Sequence, residues 1–233
     1  MGDSNGTTPT KVDWPARRPR YTLVQISDPH VPADGLLFDR VDACARVQES
    51  VEMIAAAECS PDVLVLSGDV ANRGEAESYV RLRPTIDAAL ERFGAKPLVA
   101  PGNHDDVALL RAHLLGRGSE RGPLDEVVRI GGLRVIGLDS SVPGEDHGEL
   151  DDAQIAALAG ELAEPAPDGT VWVSPSTGSH ADVLTRDGFG GHAGGGFTRV
   201  DILDDGEIVA TFVPLTGRDE ILYEFRADPH RPT

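Results

Sequence analysis

Between residues 21 and 101, short and almost wholly apolar runs alternate with longer segments of helical spacing, and this limits the possible folds more than any other feature. YTLVQIS at residues 21–27 has the length and the β-branched and aromatic content of a strand. VLVLS at 63–67 is apolar apart from its last residue, the pattern of a strand buried on both faces. Between them Leu37, Val41, Cys44, Val47, Val51, Ile54 and Ala55 recur at helical spacing, which predicts a helix over Leu36–Glu58. Glu75–Phe93 reads as a second helix and KPLVAP, residues 96–101, as a third strand. This order implies an α/β fold with a parallel sheet covered by helices. Ligand sites in such sheets gather at the carboxyl ends of the strands.

Those ends carry the residues with chemistry. The first strand runs into SDPH, which supplies Asp28 and His30. The second runs into SGDVANRG, with Asp69 and Asn72, and the third into PGNHDD, with Asn103, His104 and Asp105. Taken singly, each is an ordinary loop: Asp-Pro stops strands, Gly68-Asp69 suits a turn, and Gly102-Asn103 suits a cap before a helix over 105–115. Three polar tips on adjacent parallel strands converge on one patch, however. Carboxylate oxygen and imidazole nitrogen are both good ligands for borderline divalent ions, so the patch reads as a metal site.

The rest of the chain changes character. VVRIGGLRVIGLDS at 127–140 predicts two strands joined at Gly131-Gly132, and Asp151–Leu162 a helix with Asp151 or Asp152 near its start as the cap. TVWVS at 170–174 is a strand, and 174–196 is loop-like with glycines crowded at its end. FTRVDIL and EIVATFV form a hairpin over Asp204-Asp205-Gly206, and ILYEF at 221–225 adds a strand. With no internal repeat, one domain is expected over 21–226, between a disordered tail at 1–20 and a short one at 227–233.

A net charge of −18 argues against a protein that coats nucleic acid or an anionic membrane. An anionic substrate would need local positive charge of the kind a bound metal supplies. Cys44 and Cys59 read as small core residues in a reducing compartment. No apolar run approaches a membrane span and the N-terminus lacks a hydrophobic signal region, so a cytoplasmic location is expected.

D-x-H at Asp28 and His30, G-D-x-x-N at Gly68, Asp69 and Asn72, and G-N-H-D at 102–105 resemble the first three motifs of the calcineurin-like metallophosphoesterases. GDVANRGEAESYVRL, APGNHDD and the later LDS and GELDDAQIAAL narrow the resemblance to the class III cyclic-nucleotide phosphodiesterase branch. It runs from about Tyr21 to Val171 and, less specifically, through the final hairpin. The resemblance implies a sandwich of β-sheets flanked by helices, and hydrolysis of small-molecule phosphodiesters, with cyclic nucleotides as candidate substrates. It implies a first metal held by Asp28 and His30, Asp69 bridging to a second, and Asn103 ligating the second through its amide oxygen. A metal-bound hydroxide would attack phosphorus. His104, just outside the ligands, would stabilise the phosphoryl oxygens or protonate the leaving group, oriented by Asn72. Such ligands suit Mn, Fe or Zn better than Mg.

The sequence also departs from that pattern. The family takes three further histidines from a His-His-Pro-like and a G-H-x-H motif, and neither stands here. TVWVSPSTG resembles the strand beyond G-H-x-H, so an internal segment is missing around Val171, and loss of a strand–helix unit exposes a sheet edge. His180 and His192 are twelve positions apart, too close for two adjacent parallel strand tips, which need a crossover of about 30 residues. His192, in a Gly-rich loop, could still reach inward. His113, His147 and His230 read as structural or exposed. The expectation is one retained metal on Asp28, His30 and Asp69, and a second held poorly or only alongside substrate phosphate. The alternatives are a catalytically degraded relative serving as a metal- or nucleotide-binding module, an internally deleted chain that folds poorly, and a homodimer whose partner chain completes the site.

Overall fold

Strand β1 (Tyr21–Ser27) lies inside a six-stranded sheet of order β3-β2-β1-β7-β8-β9, built with β2 (Val63–Gly68), β3 (Lys96–Pro101), β7 (Gly196–Ile202), β8 (Ile208–Pro214) and β9 (Glu224–Ala227). The computed structural model describes residues 18–145, 147–173, 196–215 and 224–227. β1, β2 and β3 are parallel, with Leu23 opposite Val63 and Val63 opposite Lys96. All six residues of β2 are buried, as its central position requires. Helices α1 (Ala43–Ala56) and α2 (Ala76–Phe93) make the crossovers, and α3 (Val107–His113) follows β3. A second sheet, β4-β5-β6, comprises the hairpin β4 (Glu126–Ile130) and β5 (Leu133–Gly137) with β6 (Thr170–Val173), which runs parallel to β5 after α4 (Asp152–Ala163).

Strand alternation divides the apolar residues between two cores. Val24, Ile26, Leu64 and Leu66 pack against Val47, Val51 and Ile54 of α1 and Tyr79, Leu82 and Ile86 of α2. Leu23, Val63, Val65 and Leu98 point the other way, onto Leu133, Val135 and Val173 of the second sheet. The result is the expected sandwich of sheets flanked by helices. Each fully buried Leu or Ile in it contributes about 1.5–3 kcal/mol.

Three features differ from the sequence reading. The large sheet is mixed, because β7 returns antiparallel to β1. Residues 37–41 are not helical: Leu37 and Val41 bridge each other, and Phe38 and Asp39 have φ of 52° and 54°. The helix begins only after Asp42, whose side chain accepts a hydrogen bond from Ala45 N at 3.0 Å. Leu37 keeps the apolar period because the turn buries it. Likewise α3 starts after Asp106, whose carboxylate accepts from Leu109 N, so neither Asn103 nor Asp105 begins or caps that helix. Asp151 caps α4 in a box with Gln154, as expected. Residues 221–223 of the predicted last strand, and both expected tails apart from 18–20 and Ala227, lie outside the described residues. No described helix is long and apolar enough to cross a membrane.

Candidate metal centre

The β3-β2-β1 order sets the loops after the three strands side by side, and hydrogen bonding continues beyond the strand ends. His30 N donates to Asp69 O at 3.0 Å, Val31 N to Val70 O at 2.9 Å and Asn72 N to Val31 O at 2.9 Å. Asp28 and His30 have φ of 52° and 46°. Left-handed conformations in non-glycine residues cost about 1–3 kcal/mol each and persist where the surroundings enforce them, most often at ligand sites.

Asp69 and His30 are buried, and His104 leaves 37 % of its side chain exposed. Asp69 Oδ1 accepts a hydrogen bond from His104 N at 3.0 Å. Asp69 Oδ2 accepts none from the described residues, and it faces His30 Nε2 at 3.5 Å and His104 Nε2 at 3.9 Å. The two imidazoles meet edge to face, 5.2 Å between centroids. One ligand atom from each of His30, Asp69 and His104 lies within 4.8 Å of the other two. A buried carboxylate oxygen without a donor is costly unless a cation compensates it, so this donor set fits a divalent ion.

The orientation of the His104 ring follows from its neighbour. Its Nδ1 is 2.7 Å from Asn72 O, and a carbonyl only accepts, so Nδ1 carries a proton and Nε2 is the ring atom that faces Asp69. Asn72 thus holds His104 through its main chain. Asp28 flanks the cluster: its Oδ1 accepts from Asp69 N at 3.3 Å, and its Oδ2 accepts from the Ser27 hydroxyl. Asn103 lines the adjoining cleft beside His104. Two glycines permit the close approach. A Cβ on Gly68 would stand 2.3 Å from Asp28 Oδ1, and one on Gly102 2.1 Å from Asp69 Oδ1.

Asp105 behaves differently from its neighbours in the motif. Its carboxylate accepts from Val70 N at 3.0 Å, Ala71 N at 2.8 Å, Gly102 N at 3.1 Å and the Tyr79 hydroxyl at 2.9 Å. It ties the loop after β2 to the loop after β3, and both to α2. Burial pushes the Asp105 carboxyl up to about 7 against these four donors, and burial with the adjacent Asp105 charge raises the Tyr79 phenol. Sequence reasoning missed the partnership; the one signal was a tyrosine on the apolar face of α2, where a buried hydroxyl needs a polar partner.

A cleft of about 650 Å³ opens beside His104, lined among others by Arg73, Asn103, Arg121, Asp139 and Ser141. His113 ends α3 and His147 sits in an exposed turn 3.1 Å from Glu149. His180, His192 and His230 lie outside the described residues.

The calcineurin-like phosphoesterase family matches residues 21–220, and the chain belongs to that family. A probable cyclic nucleotide phosphodiesterase of Rhodococcus erythropolis is 43 % identical over 66 % of this chain and 51 % of its own length. A cAMP/cGMP dual specificity phosphodiesterase of Mycobacterium tuberculosis is 44 % identical over 66 % of this chain and 49 % of its own. The chain thus spans about half the length of these relatives. In fold it is similar to a dimetal phosphatase from Danio rerio, with a TM-score of 0.51 at 11 % identity over 90 % of this chain and 99 % of that one. A purple acid phosphatase from yellow lupin matches with the same TM-score at 10 % identity, over 88 % of this chain and 53 % of that one.

Proposed function

We propose that this chain is a divalent-metal-dependent phosphoesterase acting on small-molecule phosphodiesters, with cyclic nucleotides the first substrates to test. The observation that carries this reading is Asp69 Oδ2, buried and turned toward the Nε2 atoms of His30 and His104. In this reading Asp28, His30, Asp69 and Asn103 surround the cation, and Mn, Fe or Zn suit those donors. A bound divalent ion supplies charge neutralisation at the phosphate and a lowered pKa for water. His104, fixed by Asn72 O and open to the cleft, is placed to hold a phosphoryl oxygen or to pass a proton to the departing group. Arg73 and Arg121 bring positive charge to a cleft in a strongly acidic chain. The names of the relatives support the substrate class.

The test is hydrolysis of bis(p-nitrophenyl) phosphate and of cyclic AMP by chelator-treated protein, with and without added Mn²⁺. Metal-restored turnover that is lost in Asp69→Asn supports the reading; metal-independent turnover, or turnover equal in the variant, overturns it. A second reading, a metal-binding module without turnover, draws on the small size of the cluster, two imidazoles and one carboxylate. It predicts Mn²⁺ binding without hydrolysis of either substrate.

A further inference from the structure

Two arginines reach the cleft beside His104: Arg73 from the loop after β2, and Arg121 from the segment that joins α3 to β4. Both are exposed, and neither has a hydrogen bond or ion pair among the described residues. By contrast Arg46, Arg83, Arg92, Arg117 and Arg129 each pair with a carboxylate of this chain. The acidic residues of the cleft are engaged elsewhere. Asp105 accepts from Val70 N and Ala71 N, Asp106 from Leu109 N, Asp139 from Leu124 N and Asp151 from Gln154 N, while Glu149 pairs with His147.

The main chain under each arginine is braced although its side chain is not. Arg111 of α3 donates to Glu120 O at 2.8 Å and Gly122 O at 2.9 Å, the carbonyls on either side of Arg121, and to Pro123 O at 2.6 Å. Leu124 N is held in turn by the buried Asp139 carboxylate at 2.9 Å. Arg73 stands between Asn72, whose carbonyl is 2.7 Å from His104 Nδ1, and Gly74, where an added Cβ would lie 2.9 Å from His104 O and 2.8 Å from Asp106 N. Binding an anion at these two guanidinium groups therefore orders side chains alone, which keeps its entropic cost low.

We infer that Arg73 and Arg121 bind a phosphomonoester of the substrate outside the scissile diester, so that this chain prefers phosphodiesters carrying a terminal phosphate. The inference rests on the phosphodiesterase reading and adds the group that selects among substrates. In that reading the cation neutralises the scissile diester, whose single charge is the only one a cyclic mononucleotide has. A phosphomonoester carries about −1.5 to −2 near pH 7 and matches two guanidinium forks. A cleft of about 650 Å³ has room for the diester and the second group together.

Isothermal titration of the chelator-treated full chain with the dinucleotide pApA, and with ApA, which lacks the 5′-phosphate, reads this without turnover. The expected result is pApA bound at least about tenfold more tightly than ApA, against the repulsion of a chain of charge −18. Arg121→Gln and Arg73→Gln, substitutions at exposed positions with unchanged circular dichroism, each reduce that ratio at least about threefold. With Mn²⁺ added, the ratio of kcat/KM for pApA to that for ApA follows the same order. Equal binding of the two dinucleotides, no binding of pApA, a preference untouched by both substitutions, or displacement of pApA by equimolar inorganic phosphate would overturn the inference. The expected binding ratio without turnover of either dinucleotide sustains it and counts against the phosphodiesterase reading; turnover at equal kcat/KM does the reverse.

Discussion

The Tyr79 hydroxyl on α2 and the Asp105 carboxylate in the loop after β3 meet at 2.9 Å, and through Asp105 the same contact reaches three main-chain N–H groups of the two loops that carry Asp69 and His104. Tyr79 OH also accepts from Asp106 N at 3.1 Å, so one buried hydroxyl braces the start of α3 as well. The site is therefore held from behind by residues that face away from it.

Tyr79→Phe removes one of four donors to a desolvated carboxylate and is expected to cost about 1–2 kcal/mol of stability. Asp105→Ala leaves three N–H groups without their acceptor and costs more, about 3 kcal/mol. Urea unfolding measures both. Mn²⁺ affinity, read by titration under native conditions, falls in the same order, because both loops loosen.

Gly102→Ala is expected to disable the cluster while leaving the sheets in place. The added Cβ falls 2.1 Å from Asp69 Oδ1 and 2.7 Å from Asp69 N, backbone that cannot move aside cheaply. Circular dichroism should remain near wild type while bound metal drops several-fold. An unchanged metal content would show that Asp69 tolerates displacement.

Burial raises the pKa of both thiols. For Cys44 the Arg81 charge works against this more weakly, and for Cys59 the Arg199 charge does the same. Near pH 8 the native protein is expected to react with a disulfide reagent much more slowly than the urea-unfolded chain, with the rate rising as pH rises and thiolate forms. Cys59, at 7 % exposure, reacts last.

α4 is anchored by polar contacts rather than by a buried apolar face. Gln154 Nε2 donates to Asp125 Oδ1 at 2.9 Å and to Asp139 O at 2.8 Å, and Asp151 caps the first turn. Asp151→Ala is expected to cost about 1 kcal/mol, seen as faster amide exchange confined to α4.

The sandwich and the convergence of Asp28, His30, Asp69 and His104 were legible because strand length, apolar content and β-α-β order are local signals, and parallel order alone makes three strand ends neighbours. What sequence could not show was partnership at a distance. Asp105 sits in the same motif as Asn103 and His104, yet it serves the main chain of the other loop. The resemblance named Asn72 as the group that orients His104, but not that the contact is made by its main-chain carbonyl, which every residue type possesses. The false start of the first helix came from Leu37 and Val41, whose spacing is helical but which bridge each other in a turn ahead of the Asp42 cap, where Leu37 is buried. The antiparallel return of β7 onto β1 is a long-range pairing with no mark in either strand.

The central claim is that Asp69 and His30, with Asp28 and Asn103 beside them, hold a divalent ion next to His104, and metal content measured by elemental analysis of the full chain tests it most directly. Protein from Mn-supplemented culture, after dialysis, should retain at least one ion per chain, and Asp69→Asn should retain almost none at unchanged circular dichroism. Metal-free wild type, or equal metal in wild type and variant, would contradict the assignment.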